Sequence, residues 1–179
     1  LVQRVLATFA IFCLMASSIY LLNDSFDREA DRAHPRKRHR PIASGVVPVP
    51  LALCLSAVLA TCAVSWSWFG LESRPITVIC AVYLTIQVLY TWRLKHLVIL
   101  DVLCISSGFV LRLLAGGKAS WIELSHWIVV CTVFLSLFLA LCKRRHEVVT
   151  LGDGAKSHRA TLDHYPVELL DQLISVAVA

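Results

Sequence analysis

Charge is what this sequence has least of. Asp, Glu, Lys and Arg make up 16% of its 179 residues and 58% are hydrophobic, whereas an ordinary soluble domain is about a quarter charged and about half apolar. That shortage argues against a soluble helical core protein. Cysteine occurs seven times, yet no two residues form a CxxC pair. Cys13, Cys54, Cys62, Cys80, Cys104, Cys131 and Cys142 all fall inside apolar runs, where they behave as small hydrophobes, so neither a zinc site nor a disulfide framework is indicated. Internal repeats and low-complexity segments are absent. The first apolar run is long enough to span, and no small-residue cleavage pattern separates it from the charged segment after it, so it resembles a signal-peptide core only superficially. The sequence opens without Met and stops inside an apolar stretch, so it reads as part of a longer protein.

What is present is a series of apolar runs of bilayer length, at about 3–22, 47–70, 75–92, 98–116 and 121–142, with the start of a sixth from about 166. The expectation is an all-α, polytopic transmembrane helical bundle, a single domain over residues 1–179 with five full spans. If the spans alternate, segments 23–46, 93–97 and 143–165 share one membrane face. They hold 13 of the 17 basic residues: Arg28, Arg32, Arg36, Lys37, Arg38, Arg40, Arg93, Lys95, Lys143, Arg144, Arg145, Lys156 and Arg159. The opposite loops hold Arg74 and Lys118. The excess of Lys and Arg makes the three-segment face cytoplasmic in a multi-pass cell-membrane protein. Trp66, Trp68, Trp121 and Trp127 sit near one interface and Trp92 near the other, as aromatic anchors do. Six of the seven His fall on the basic face, scattered as solvated loop residues rather than as metal ligands.

The first run leads into Asn23-Asp24-Ser25-Phe26-Asp27-Arg28-Glu29-Ala30-Asp31. Asn23, Asp27 and Asp31 are four residues apart, so a continuing helix sets them in one stripe with Asp24 beside it. Carboxylates this close repel unless a cation lies between them, and oxygen-only ligands suit Mg²⁺, which bridges protein carboxylates to substrate phosphates. The plainer reading is a solvated helix end outside the membrane. Next comes His34-Pro35-Arg36-Lys37-Arg38-His39-Arg40-Pro41, closing at Gly45. Its prolines constrain a cationic cluster able to grip phosphate oxygens. Attraction to anionic lipid is compatible with the same cluster; nucleic-acid binding is not favoured by so short a cluster beside carboxylates.

Further on, the third run ends in Tyr90-Thr91-Trp92-Arg93-Leu94-Lys95-His96, and Asp101 follows just inside the fourth. A carboxylate in an apolar span is a functional candidate by default. Arg112, eleven residues later, is expected to snorkel to the far interface. The fifth run ends in Lys143-Arg144-Arg145-His146-Glu147, where Lys143, Arg144 and Glu147 are a turn apart. Acids holding a metal on one side and cations opposite would neutralise a polyphosphate from both directions.

Asn23-Asp24-x-x-Asp27-x-x-x-Asp31 with Arg40-Pro41-Ile42-Ala43-Ser44-Gly45 resembles the first aspartate motif of the UbiA-type intramembrane prenyltransferase superfamily. The segment from Tyr90 to Lys95 looks like its interhelical Tyr–Lys motif. The resemblance runs nearly the whole length and implies a bundle of about nine spans with a Mg²⁺-bound diphosphate over a central cavity; the family's first helix and last spans are not in this sequence. Aromatic prenyltransferases carry a second Asp-rich motif after the span equivalent to the fifth, where this chain has Lys143-Arg144-Arg145-His146-Glu147. That difference resembles the decaprenyl-phosphate phosphoribosyltransferase branch. The resemblance implies phosphoribosyl pyrophosphate as donor, a polyprenyl phosphate as acceptor, and a product destined for cell-wall arabinan. It implies metal ligation by Asn23, Asp24, Asp27 and Asp31, and substrate binding by Arg36, Lys37, Arg40, Tyr90, Lys95, Asp101, Lys143 and Arg144. Catalytic roles would fall to Asp27, Asp31, Lys95 and Glu147. The rivals are a UbiA-type enzyme moving a prenyl group to an aromatic acceptor, and a transporter or lipid-binding protein, for which Ser106, Ser107 and Gly108 are the main hint. The bilayer is the expected surroundings, and a homo-oligomer is left open.

Overall fold

The computed structural model describes residues 1–151 and 166–178. Helix α1, Val2–Phe26, is bilayer-length because no charged residue interrupts it between Arg4 and Asp24. Its register survives a break at Asp27 (φ −89°, ψ 6°), since the Asp27 N–H donates to Asn23 O and the Asp31 N–H to Asp27 O, each at 2.8 Å. The short helix α2, Arg28–Ala33, therefore prolongs the stripe expected from the sequence. Pro35 holds His34 extended (φ −85°, ψ 132°) and ends it. A 3₁₀ turn at Lys37–His39 follows, then a reversal in which Gly45 adopts φ 87°, a conformation costly for a residue with a Cβ.

Helix α3, Val49–Ser65, starts with proline in its first turn and closes in a π turn, Trp66–Gly70. Helix α4, Arg74–Trp92, ends before a 3₁₀ turn at Leu94–His96. The chain then reverses through Ile99 (φ 69°) into α5, Leu100–Ser120. Helix α6 spans His126–Leu151 and α7 Val167–Val178. Five of these helices are long and apolar enough to cross a membrane, as the sequence implies, and their outward faces carry exposed Phe9, Leu51, Leu55, Val82, Phe134 and Leu135. Such faces would drive aggregation in water but are ordinary against lipid. The protein is an all-helical, multi-pass membrane protein.

The main core joins α1, α3, α4 and α5 through Ile11, Phe12, Met15, Ala63, Ile76, Tyr83 and Ala115. A second cluster, Val102, Ala140, Leu141 and Leu170, ties α5, α6 and α7. Small polar residues stitch the helices at close approach. Ser18 and Ser56 each donate to the other's carbonyl at 2.8 Å, and the Ser106 and Ser136 hydroxyls meet at 2.6 Å. The seven cysteines are free, with Cys80 and Cys104 buried.

Two expectations are corrected. Helix α6 runs two turns past residue 142, because nothing in Lys143-Arg144-Arg145-His146-Glu147 breaks a helix; this cluster belongs to the helix and not to a loop. Arg112 does not snorkel outward. Its guanidinium turns back one turn toward the start of α5, donating to Gly108 O at 3.3 Å and to the Tyr83 hydroxyl at 2.7 Å. The expected loop residues Lys156 and Arg159 lie outside the described residues.

Candidate active site

A cavity of about 670 Å³ opens among α1, α2, α4, α5 and α6. Its mouth is ionic and its depth mixed polar and apolar. From α1 and α2 come Asn23, Asp24, Asp27 and Asp31; from the turn that follows, His34, Lys37 and Arg40; from the end of α4 and the next turn, Tyr90, Thr91, Lys95 and His96; from α6, Lys143, Arg144 and Glu147. The expected stripe, the Tyr–Lys segment and the α6 cluster thus converge, although they are far apart in sequence.

Each carboxylate of the stripe is met by a cation. Arg40 bridges Asp24 at 2.8 Å and Asp31 at 2.9 Å. Lys95, itself buried, pairs with Asp27. The stripe accordingly does not form a ready-made cage: among the described residues no three His, Cys, Asp or Glu side chains stand together as metal ligands. It nevertheless fits a hard cation that keeps part of its water shell, because every donor is oxygen. The Asn23 Oδ1 atom is also buried without a hydrogen-bond partner. An orphaned acceptor at that place is costly unless a ligand satisfies it.

The opposite wall is rigid. Arg144 is 2% exposed; its Nε donates to Asp101 Oδ2 at 2.7 Å and its Nη1 to Glu147. Asp101, fully buried, also accepts the Val102 N–H at 2.8 Å through its other oxygen. It lies in the first turn of α5, where the helix dipole favours negative charge. Among the described residues Lys143, exposed at the cavity edge, has no ion-pair partner. Arg145, on the far side of α6, pairs with Asp171 of α7.

The geometry changes several expected roles. Asp101 does not line the cavity; it stands behind Arg144 and fixes it, because a buried carboxylate needs a full-time partner. Glu147 reaches the cavity but is bonded to Arg144. Arg40 spends its Nη1 on the acidic stripe, and Arg36, exposed, is not part of the lining. Sequence reasoning missed the deep polar wall of Tyr20, Tyr83, Gln87 and Arg112. Tyr83, Gln87 and Thr91 recur every four residues along α4, which was the available signal. In sum six Lys or Arg face four Asp or Glu across the lining, so the cavity is biased toward anions.

Bilayer-length helices around a cavity that is ionic at its mouth and mixed polar and apolar below define a multi-pass membrane protein with an internal site. The model of the UbiA prenyltransferase family matches residues 2–162, and the chain belongs to that family. It is 44% identical to the decaprenyl-phosphate phosphoribosyltransferase of Mycolicibacterium smegmatis, over 90% of this chain and 50% of that protein. The Corynebacterium glutamicum protein of the same name is 40% identical over 88% and 47%, respectively. The chain spans about half the length of these curated relatives. Among solved structures it is similar to a UbiA homologue from Archaeoglobus fulgidus bound to DMAPP and Mg²⁺. The TM-score there is 0.84 at 17% identity, covering 99% of this chain and 65% of the other. That likeness establishes the fold.

Proposed function

We propose that the site transfers a 5-phosphoribosyl group from phosphoribosyl pyrophosphate to a polyprenyl phosphate, releasing diphosphate at the cytoplasmic face of the cell membrane. The observation that carries this reading is the cationic α6 wall, Lys143 with the locked Arg144, facing the acidic stripe. A donor bearing a 5-phosphate as well as a diphosphate calls for more cations than a prenyl diphosphate does. The names of the relatives at 40% and 44% identity support the same reading, with decaprenyl phosphate as acceptor; cell-wall arabinan as the destination of the product is part of the proposal and rests on the family resemblance alone.

In the proposed reaction the bond from ribose C1 to the diphosphate oxygen breaks, and a bond from C1 to an oxygen of the lipid phosphate forms. That oxygen is anionic at neutral pH, so no strong general base is needed. Magnesium, when bound by Asn23, Asp27 and Asp31 with Asp24 beside them, would neutralise the departing diphosphate. Lys95, Lys143 and Arg144 hold donor phosphates, with Lys37 and Arg40 at the rim, and Tyr90 contributes a polar wall. Bringing two anions together in a fixed geometry is the main contribution of the chain. The runner-up is prenyl transfer to an aromatic acceptor; the apolar depth of the cavity would take a prenyl chain equally well. The test offers the full-length enzyme phosphoribosyl pyrophosphate with a polyprenyl phosphate, and in parallel a prenyl diphosphate with an aromatic acid. Product in the first arm alone is expected, and product in the second alone refutes the reading.

A further inference from the structure

We propose that Arg112, seated on Tyr83 and reaching back to Gly108, binds the phosphate head of a membrane-embedded lipid at a place separate from the cations of the cavity mouth. The proposal rests on the reading above and names which residue takes the acceptor's charge.

The argument begins with depth. Arg112 stands about 16 Å along α5 from Asp101, at 1.5 Å per residue, near the middle of the span Leu100–Ser120. An arginine there is costly, and it is kept where a partner or an anion makes use of it. The guanidinium leans toward the ionic mouth, not toward the nearer end of its helix: it donates to Gly108 O, one turn back, and to the Tyr83 hydroxyl at 2.7 Å, and lies 5.0 Å from the Tyr83 ring centroid. These contacts use two of its five N–H donors. Among the described residues no carboxylate lies within ion-pair reach of it, so its charge is unmatched, and its side chain is exposed in a part of the cavity lined by both polar and apolar residues.

The surroundings are arranged for a ligand. Gln87, a turn from Tyr83 on α4, lines the cavity beside Arg112. Gly108 leaves the room: a Cβ there would stand 3.0 Å from the Gln87 amide nitrogen and 3.7 Å from the Arg112 guanidinium. A planar fork with free N–H groups matches phosphate oxygens. Ile19, Ile105, Phe109 and Leu139 complete this depth. They offer nothing to a hydrated soluble anion but accept the isoprenoid carbons that accompany a lipid phosphate. Two anionic substrates would then each have their own cations, one set at the mouth and one below it.

The test uses purified full-length protein in nanodiscs with farnesyl phosphate, farnesol, inorganic phosphate and Mg²⁺-phosphoribosyl pyrophosphate as separate probes. Arg112→Gln is expected to weaken farnesyl phosphate binding roughly thirtyfold, the loss of a charge-assisted contact. Farnesol and the Mg²⁺-donor complex should bind as in wild type. Tyr83→Phe should give a smaller loss in the same direction, and it carries the test if Arg112→Gln does not fold. Unchanged farnesyl phosphate affinity in both variants overturns the proposal. So does an equal loss for the Mg²⁺-donor complex, which would place Arg112 with the mouth cations, or effective competition by inorganic phosphate, which would make the site a soluble anion's. If Mg²⁺-phosphoribosyl pyrophosphate fails to bind wild type while farnesyl phosphate binding still depends on Arg112, the donor reading falls and this assignment stands.

Discussion

Asp101→Asn tests whether the cationic wall is held from behind. The substitution keeps the shape of the side chain and removes its charge, so packing is a minor part of its effect. Asp101 uses both oxygens as acceptors, Oδ1 from the Val102 N–H at 2.8 Å and Oδ2 from Arg144 Nε at 2.7 Å. Asparagine has one acceptor oxygen; whichever way the amide is turned, its NH₂ faces an N–H donor. With Asp101 at 0% exposure and Arg144 at 2%, water does not relieve the conflict. Breaking a buried ion pair from one side costs about 3–5 kcal/mol. Glu147 still shares the Arg144 charge, so a cost near the lower end, about 3 kcal/mol, is expected. The assay is reversible unfolding in mixed micelles, run as a double-mutant cycle with Arg144→Met. With the guanidinium gone, Asp101→Asn should cost no more than about 1 kcal/mol, giving a coupling of about 2 kcal/mol. Additive effects, or a cost below about 1 kcal/mol for Asp101→Asn with Arg144 intact, would refute the reasoning and leave Asp101 as an ordinary helix-start acid.

The other expectations concern the mouth of the cavity. Asp27→Ala should lower the turnover of the folded protein on the order of a hundredfold or more and lower its unfolding midpoint as well, since the carboxylate pairs with the buried Lys95; activity retained with an unchanged Mg²⁺ requirement would reduce the stripe to a solvated helix end. Lys143→Ala should weaken donor binding by about tenfold or more, as one charged contact is lost, without altering affinity for the lipid acceptor, and titration of each substrate separately checks it. For topology, a cysteine placed at the exposed Ser44 should react with an impermeant thiol reagent from the cytoplasmic side only, and one at the exposed Lys118 from the other side only; reaction of both from one side would overturn the shared face of the three basic segments.

The parts of this structure that the sequence revealed are those governed by a local rule. Span positions follow from the length of apolar runs, and all five bilayer-length helices fall where composition puts them. The acidic stripe was legible because i, i+4 spacing needs only a helix, and the register holds through the break at Asp27. Which cation meets which acid was not legible. Arg40 and Asp31 are nine residues apart, but they meet through the turn made by Pro35 and the 3₁₀ segment Lys37–His39. Lys95 reaches Asp27 across 68 residues and Arg144 reaches Asp101 across 43. No periodicity encodes those pairings; they follow from how α1, α4, α5 and α6 pack. The same limit explains the misjudged Arg112. On a lone helix a long cationic side chain runs to the nearer water, and the sequence rule assumes that outcome. In the bundle Tyr83 from α4 offers a hydroxyl and a ring face, while the small Gly108 leaves the approach open. The guanidinium, exposed to the open cavity, is therefore held there by contacts that only the assembled helices supply.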